Sequence, residues 1–177
     1  MRLLTRSIPA AALVLIATPA FAHPGHGEDA GMLGGLLHPL TGYDHLAAML
    51  LVGVWAAFVF PRALLALPVA FLGGLSLGFA LGYMLPGASV EAIVLVSSPM
   101  LLAGLLAGRR MPLPLAAGLT AVFATAHGYA HASEASGDAF AFAAGMLVST
   151  AALHGLGLIA GTALTRWTRA SGARQSD

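Results

Sequence analysis

Two short segments hold most of the side chains in this sequence that could do chemistry. The first is His38-Pro39-Leu40-Thr41-Gly42-Tyr43-Asp44-His45, two imidazoles and a carboxylate set inside a strongly apolar stretch. A carboxylate near the middle of a membrane costs roughly 2.5–3.5 kcal/mol, so an ionisable group kept there is a functional-site candidate. His38 and His45 are seven apart, which returns them to one helix face but leaves them about 10 Å apart along a straight axis. One metal ion cannot span that distance unless Pro39 and Gly42 break or bend the segment. Asp44 points roughly 100° away from His45 on an ideal helix. It is placed either to ligate directly or to orient an imidazole through its ring N–H. Met49, one turn beyond His45, adds a thioether to the same face.

The second segment is His127-Gly128-Tyr129-Ala130-His131-Ala132-Ser133-Glu134. His127 and His131 are i, i+4 and Glu134 is i+7, so all three project from one helix face. That spacing lets imidazoles from successive turns meet one ion. It is not an HExxH site, because Gly128 stands where glutamate is required. His154 lies alone in the last apolar stretch, where a lone histidine ordinarily makes an interhelical hydrogen bond. The company of four other membrane histidines makes it a candidate for a position further along a path. Cysteine is absent, which removes thiolate ligands, disulfides and cysteine nucleophiles together. Imidazole suits Ni²⁺, Co²⁺, Zn²⁺ and Cu²⁺, whereas Mg²⁺ and Ca²⁺ prefer oxygen. Met32, Met49, Met84, Met100, Met111 and Met146 are scattered rather than paired, which argues against a copper(I) route.

These residues need a scaffold, and composition says what kind. Of 177 residues, 58% are hydrophobic and 8% charged, where a soluble domain carries about 25% charged residues. The expected fold is an all-α integral membrane protein. A net charge of +1 gives no reason to expect a nucleic-acid partner. Residues 1–22 read as a cleavable signal peptide: Arg2 and Arg6 precede an apolar core, and Ala20-Phe21-Ala22 fits the cleavage pattern. Residues 23–32 then form a polar external N-terminus whose His23 and His26 are candidate loose metal ligands, or an inert spacer. Pro24 interrupts the peptide-nitrogen chelate that a free N-terminus otherwise offers.

Five apolar stretches follow within a helical domain at 33–166, running at roughly 33–60, 64–85, 89–107, 112–132 and 139–165, each near the ~20 residues that cross a bilayer. A sixth span split from the last would be cramped. The connections alternate in charge: Glu28-Asp29, Arg62, Glu91, Arg109-Arg110, then Glu134 with Asp138, then the tail at 167–177 preceded by Arg166. Under the positive-inside rule the N-terminus is outside and the C-terminus cytoplasmic, which requires an odd number of spans. Both histidine segments then open towards the external side. Gly74, Gly78 and Gly82 recur every four residues and mark a face for close helix packing.

The first segment matches HPxxGxDH, and the second resembles HGxAHGxE with Ala132 in place of the second glycine and Ala126 where phenylalanine often precedes the first histidine. On these motifs the chain resembles the HupE/UreJ family of nickel permeases over essentially its whole length. The resemblance implies secondary uptake of Ni²⁺ or Co²⁺ across a bacterial inner membrane, by a multi-pass protein often drawn with six spans where the charge pattern gives five. It implies a transported metal and the lipid bilayer as partners, with no resident cofactor and no enzymatic activity. A homo-oligomer and a downstream maturation system for hydrogenase or urease are the candidate protein partners. Two alternatives remain on the residues alone: an intramembrane zinc hydrolase with Asp44 or Glu134 as base, and a bis-histidine haem protein.

Overall fold

Gly42 decides the shape of the first apolar stretch. In the computed structural model, helix α1 (Met32–Thr41) ends there and helix α2 (Tyr43–Val59) begins immediately after it. Gly42 itself is extended, with φ −110° and ψ 125°. The two helix axes differ by 81°. The last turn of α1 is closed by the Thr41 hydroxyl, which donates to the His38 carbonyl at 2.8 Å, while Gly42 already supplies its own carbonyl to Leu46 N–H in α2. Terminal backbone groups that a break would otherwise strand are thereby partnered. Pro39 lies buried within α1, so the glycine and not the proline makes the bend.

The structure describes residues 31–87, 89–90, 104, 111–135 and 137–173, with backbone alone at Tyr43, Asp44, Arg169, Gly172 and Ala173. The expected signal peptide, His23 and His26, most of the 89–107 stretch and the end of the tail lie outside the described residues. Three further helices complete the described fold: α3 (Ala66–Met84), α4 (Leu113–Ala132) and α5 (Ala139–Ala173). α4 starts on Pro112, with Pro114 in its first turn, where a missing N–H costs nothing. α5 starts on Asp138, an N-cap whose Oδ1 accepts from Phe140 and Ala141 N–H at 3.0 and 3.1 Å. α5 is unbroken, so the last stretch is not divided into two spans. Ala66–Met84 and Ala139–Thr168 are long and apolar enough to cross a membrane, and the bent α1–α2 pair makes a third if it is one span.

Glycines set how closely the helices approach. A Cβ on Gly78 would overlap the Thr125 carbonyl, and one on Gly128 would overlap the Leu75 carbonyl, so α3 and α4 meet backbone to backbone from both sides. The same reciprocity joins α1 to α5 through Gly35 and Gly145, and α2 to α5 through Gly53 and Gly157. In lipid, where helices gain little from burying apolar surface, such backbone approach supplies the packing attraction. Gly74, Gly78 and Gly82 face Ala121, Thr125 and Tyr129 in turn, so α3 and α4 run parallel. α2 and α5 also run parallel, Leu50 lying by Gly157 and Val54 by Gly161. Phe79 stacks on Phe142 and the Tyr83 ring lies tilted 6.0 Å from that of Phe140, which makes α3 antiparallel to α5. One end of the bundle therefore carries the starts of α2 and α5 and the ends of α3 and α4.

Candidate metal-binding site

That end is where the histidines meet. His38 is on the last turns of α1, His45 on the first turn of α2, and His131 on the last turn of α4. Each offers a ring nitrogen, and the three nitrogens lie within 4.8 Å of one another. His38 Nε2 is 3.0 Å from His131 Nδ1. The ring of His45 is 5.1 Å from that of His131 and 6.0 Å from that of His38, centre to centre. The break at Gly42 brings His38 and His45 together as a straight helix could not, with His131 as the third member. Phe142 of α5 packs edge-on against His38 at 5.5 Å and covers one side.

Glu134 sits two residues past the end of α4, at the rim of this cluster. Its Oε2 is 2.7 Å from His131 Nδ1 and 3.2 Å from His38 Nε2. A carboxylate only accepts, so at least one of those nitrogens carries a hydrogen towards it. Burial pushes the Glu134 carboxyl up, but the hydrogen bonds from His131 and His38 outweigh it and hold the group below its ordinary value near 4.5. A carboxyl so depressed contributes stability that is present above its ordinary value and is lost only as pH falls through the lower folded one. Replacing Glu134 by glutamine should therefore lower the melting temperature at about pH 5.5 by no less than at about pH 7.5. A melting difference that had already vanished at the lower pH would contradict this account of Glu134.

His127 stands one turn deeper on α4 and is buried, with its ring 5.7 Å from that of His45. Its Nδ1 donates to the Phe123 carbonyl at 3.0 Å. Because a carbonyl cannot donate, this bond fixes the tautomer and puts the lone pair on Nε2. His154 of α5 is fixed in the same way: its Nδ1 donates to the Met49 carbonyl of α2 at 2.6 Å. This is the interhelical hydrogen bond that the sequence offers as the ordinary role of a lone membrane histidine; its partner could not be named in advance, because a carbonyl acceptor leaves no trace in residue type. The structure thus gathers His38, His45, His131 and Glu134 in one place, with His127 adjoining and His154 apart. Asp44 is placed by its backbone on the first turn of α2, beside His45.

Among the described residues every regular element is a helix, some are apolar and long enough to cross a membrane, and imidazoles collect at one end of the bundle, which is the build of a helical membrane protein. Comparison with known proteins is specific. Residues 11–176 match the family described as HupE / UreJ protein. The curated Protein HupE of Rhizobium leguminosarum bv. viciae is 37% identical over 155 residues, covering 82% of this chain and 78% of that protein. No solved structure matches the chain. The chain belongs to the HupE/UreJ family.

Proposed function

We propose that this protein is a secondary permease that takes up a divalent transition-metal ion, Ni²⁺ or Co²⁺, across the inner membrane. The observation that carries the reading is the convergence of His38, His45 and His131 at the break between α1 and α2. An imidazole–metal bond of about 2.0–2.1 Å puts neighbouring ligand atoms of an octahedral or square-planar ion about 3 Å apart. His38 Nε2, His131 Nδ1 and Glu134 Oε2 form a triangle with edges of 3.0, 2.7 and 3.2 Å. The donors therefore stand close to the spacing that such an ion needs, before it arrives.

In this reading the trio captures the ion, Glu134 takes part at the rim, and Asp44 orients or joins the His45 side. His127 receives the ion next. His23 and His26 raise its local concentration outside, and the N-terminus-out, C-terminus-in arrangement makes the histidine end external. The parallel pairings α2 with α5 and α3 with α4 suit a chain that crosses five times in alternation. The family's association with nickel and cobalt uptake favours a cargo over a resident zinc. A haem needs its two imidazoles on opposite faces of a macrocycle, and His38 and His131 are in direct contact instead.

The test is ⁶³Ni or ⁵⁷Co uptake by cells expressing the chain, comparing it with His38→Ala and His45→Ala at matched membrane levels. Uptake should fall to the background of cells lacking the protein. Equal uptake in all three would overturn the permease reading.

A further inference from the structure

Interhelical hydrogen bonding accounts for half of His154 and leaves the other half unexplained. The side chain is 1% exposed, and its Nδ1 is committed to the Met49 carbonyl. Nε2, which carries the lone pair in that tautomer, has no hydrogen-bond partner among the described residues. One turn back along α5, on the same face, Thr150 is 0% exposed and its hydroxyl is equally unpartnered. That is unusual within this chain. Thr120, Thr125 and Thr165 each return their hydroxyl to the carbonyl four residues earlier, the default for a helical threonine. Thr150 does not use that option. A buried lone pair and a buried hydroxyl on one face, neither satisfied, cost more than packing alone repays unless they serve a ligand.

We infer that His154 Nε2 and Thr150 Oγ1 form a second cation station inside the bundle, which takes a partly hydrated divalent transition-metal ion from the outer trio. The inference rests on the permease reading and deepens it. Position supports the order. α2 and α5 run parallel, and His154 is bonded to the carbonyl of Met49, which stands one helical turn beyond His45 in α2, so His154 lies further in than His45. Phe71 is packed against both His127, at 6.3 Å, and His154, at 5.0 Å between ring centres, so a single aromatic side chain adjoins the inner station and the histidine next to the outer trio. Donor count supports the direction. Three imidazoles and a carboxylate hold an ion more tightly than one imidazole and a hydroxyl, and conduction needs sites weak enough to release what they accept.

The experiment is calorimetric titration of the purified full chain in detergent with Co²⁺, alongside Co²⁺ uptake into vesicles. The wild type should show a tight phase and a second phase at least about tenfold weaker. His154→Gln should abolish the weaker phase and slow uptake while leaving the tight phase in place. Thr150→Val keeps the His154–Met49 bond and the side-chain shape, and it should weaken the second phase about threefold. A wild type with the tight phase only, or a weaker phase unchanged in both variants, overturns the inner station. Loss of neither phase in His45→Ala overturns the outer site instead, so the two failures are told apart.

Discussion

His131→Ala should reduce the affinity of the purified protein for Ni²⁺ or Co²⁺ by at least about 100-fold, since losing a mere orienting partner of a ligand already costs about 10–100-fold. His131 is the group on which the outer site is centred. Its Nδ1 meets both His38 Nε2 and Glu134 Oε2, and its ring adjoins those of His45 and His127. It is buried, whereas the His38 side chain at the rim keeps 25% of its exposure. Water can replace a ligand at the rim more readily than one in the interior. The loss in His38→Ala should therefore be the smaller of the two. Equilibrium binding of ⁶³Ni to detergent-solubilised protein measures both. An affinity within about threefold of wild type in His131→Ala would remove the outer site from the account, because three convergent imidazoles would then bind no better than two.

The outer site was legible in the sequence as a set of residues and only half legible as a shape. The i, i+4 pair His127 and His131 follows from helical periodicity, and each is where that periodicity puts it. His38 and His45 could not be placed by periodicity, because a straight helix separates them by about 10 Å and whether Gly42 breaks the helix depends on what covers the exposed backbone. The Thr41 hydroxyl and the immediate restart of α2 at Gly42 settle that locally. Pro39, the residue with the stronger reputation as a breaker, stays inside α1. The partners that fix His127 and His154 were illegible for a different reason. Both are main-chain carbonyls, those of Phe123 and Met49, and every residue carries one. The glycine spacing of α3 was readable as a packing face, but its consequence was not: the reciprocal glycines on α4 and α5 become visible only once the helices are paired.

Those reciprocal glycines carry the second large effect. Gly128→Leu should destabilise the protein by at least about 1–3 kcal/mol and weaken metal binding with it. Even the Cβ of a residue at 128 would overlap the Leu75 carbonyl and crowd Phe79 N–H, so the clash is with backbone that cannot turn aside. α4 must then move away from α3, and His127 and His131 flank the substituted position. Moving α4 carries both imidazoles away from His38 and His45, which stand on α1 and α2 and are held against α5 by Gly35 and Gly53. Gly118→Leu is the matched control. It lies on the same helix with nothing within 4 Å of an added Cβ, and it should melt and bind as the wild type does. Thermal unfolding in detergent and Co²⁺ titration read the two consequences separately. A Gly128→Leu protein as stable as Gly118→Leu would mean that the close approach of α3 and α4 does not hold the site together. The expected result ties the metal site to the packing: the glycine between the two histidines matters because it lets their helix come close enough for imidazoles from three helices to reach one point.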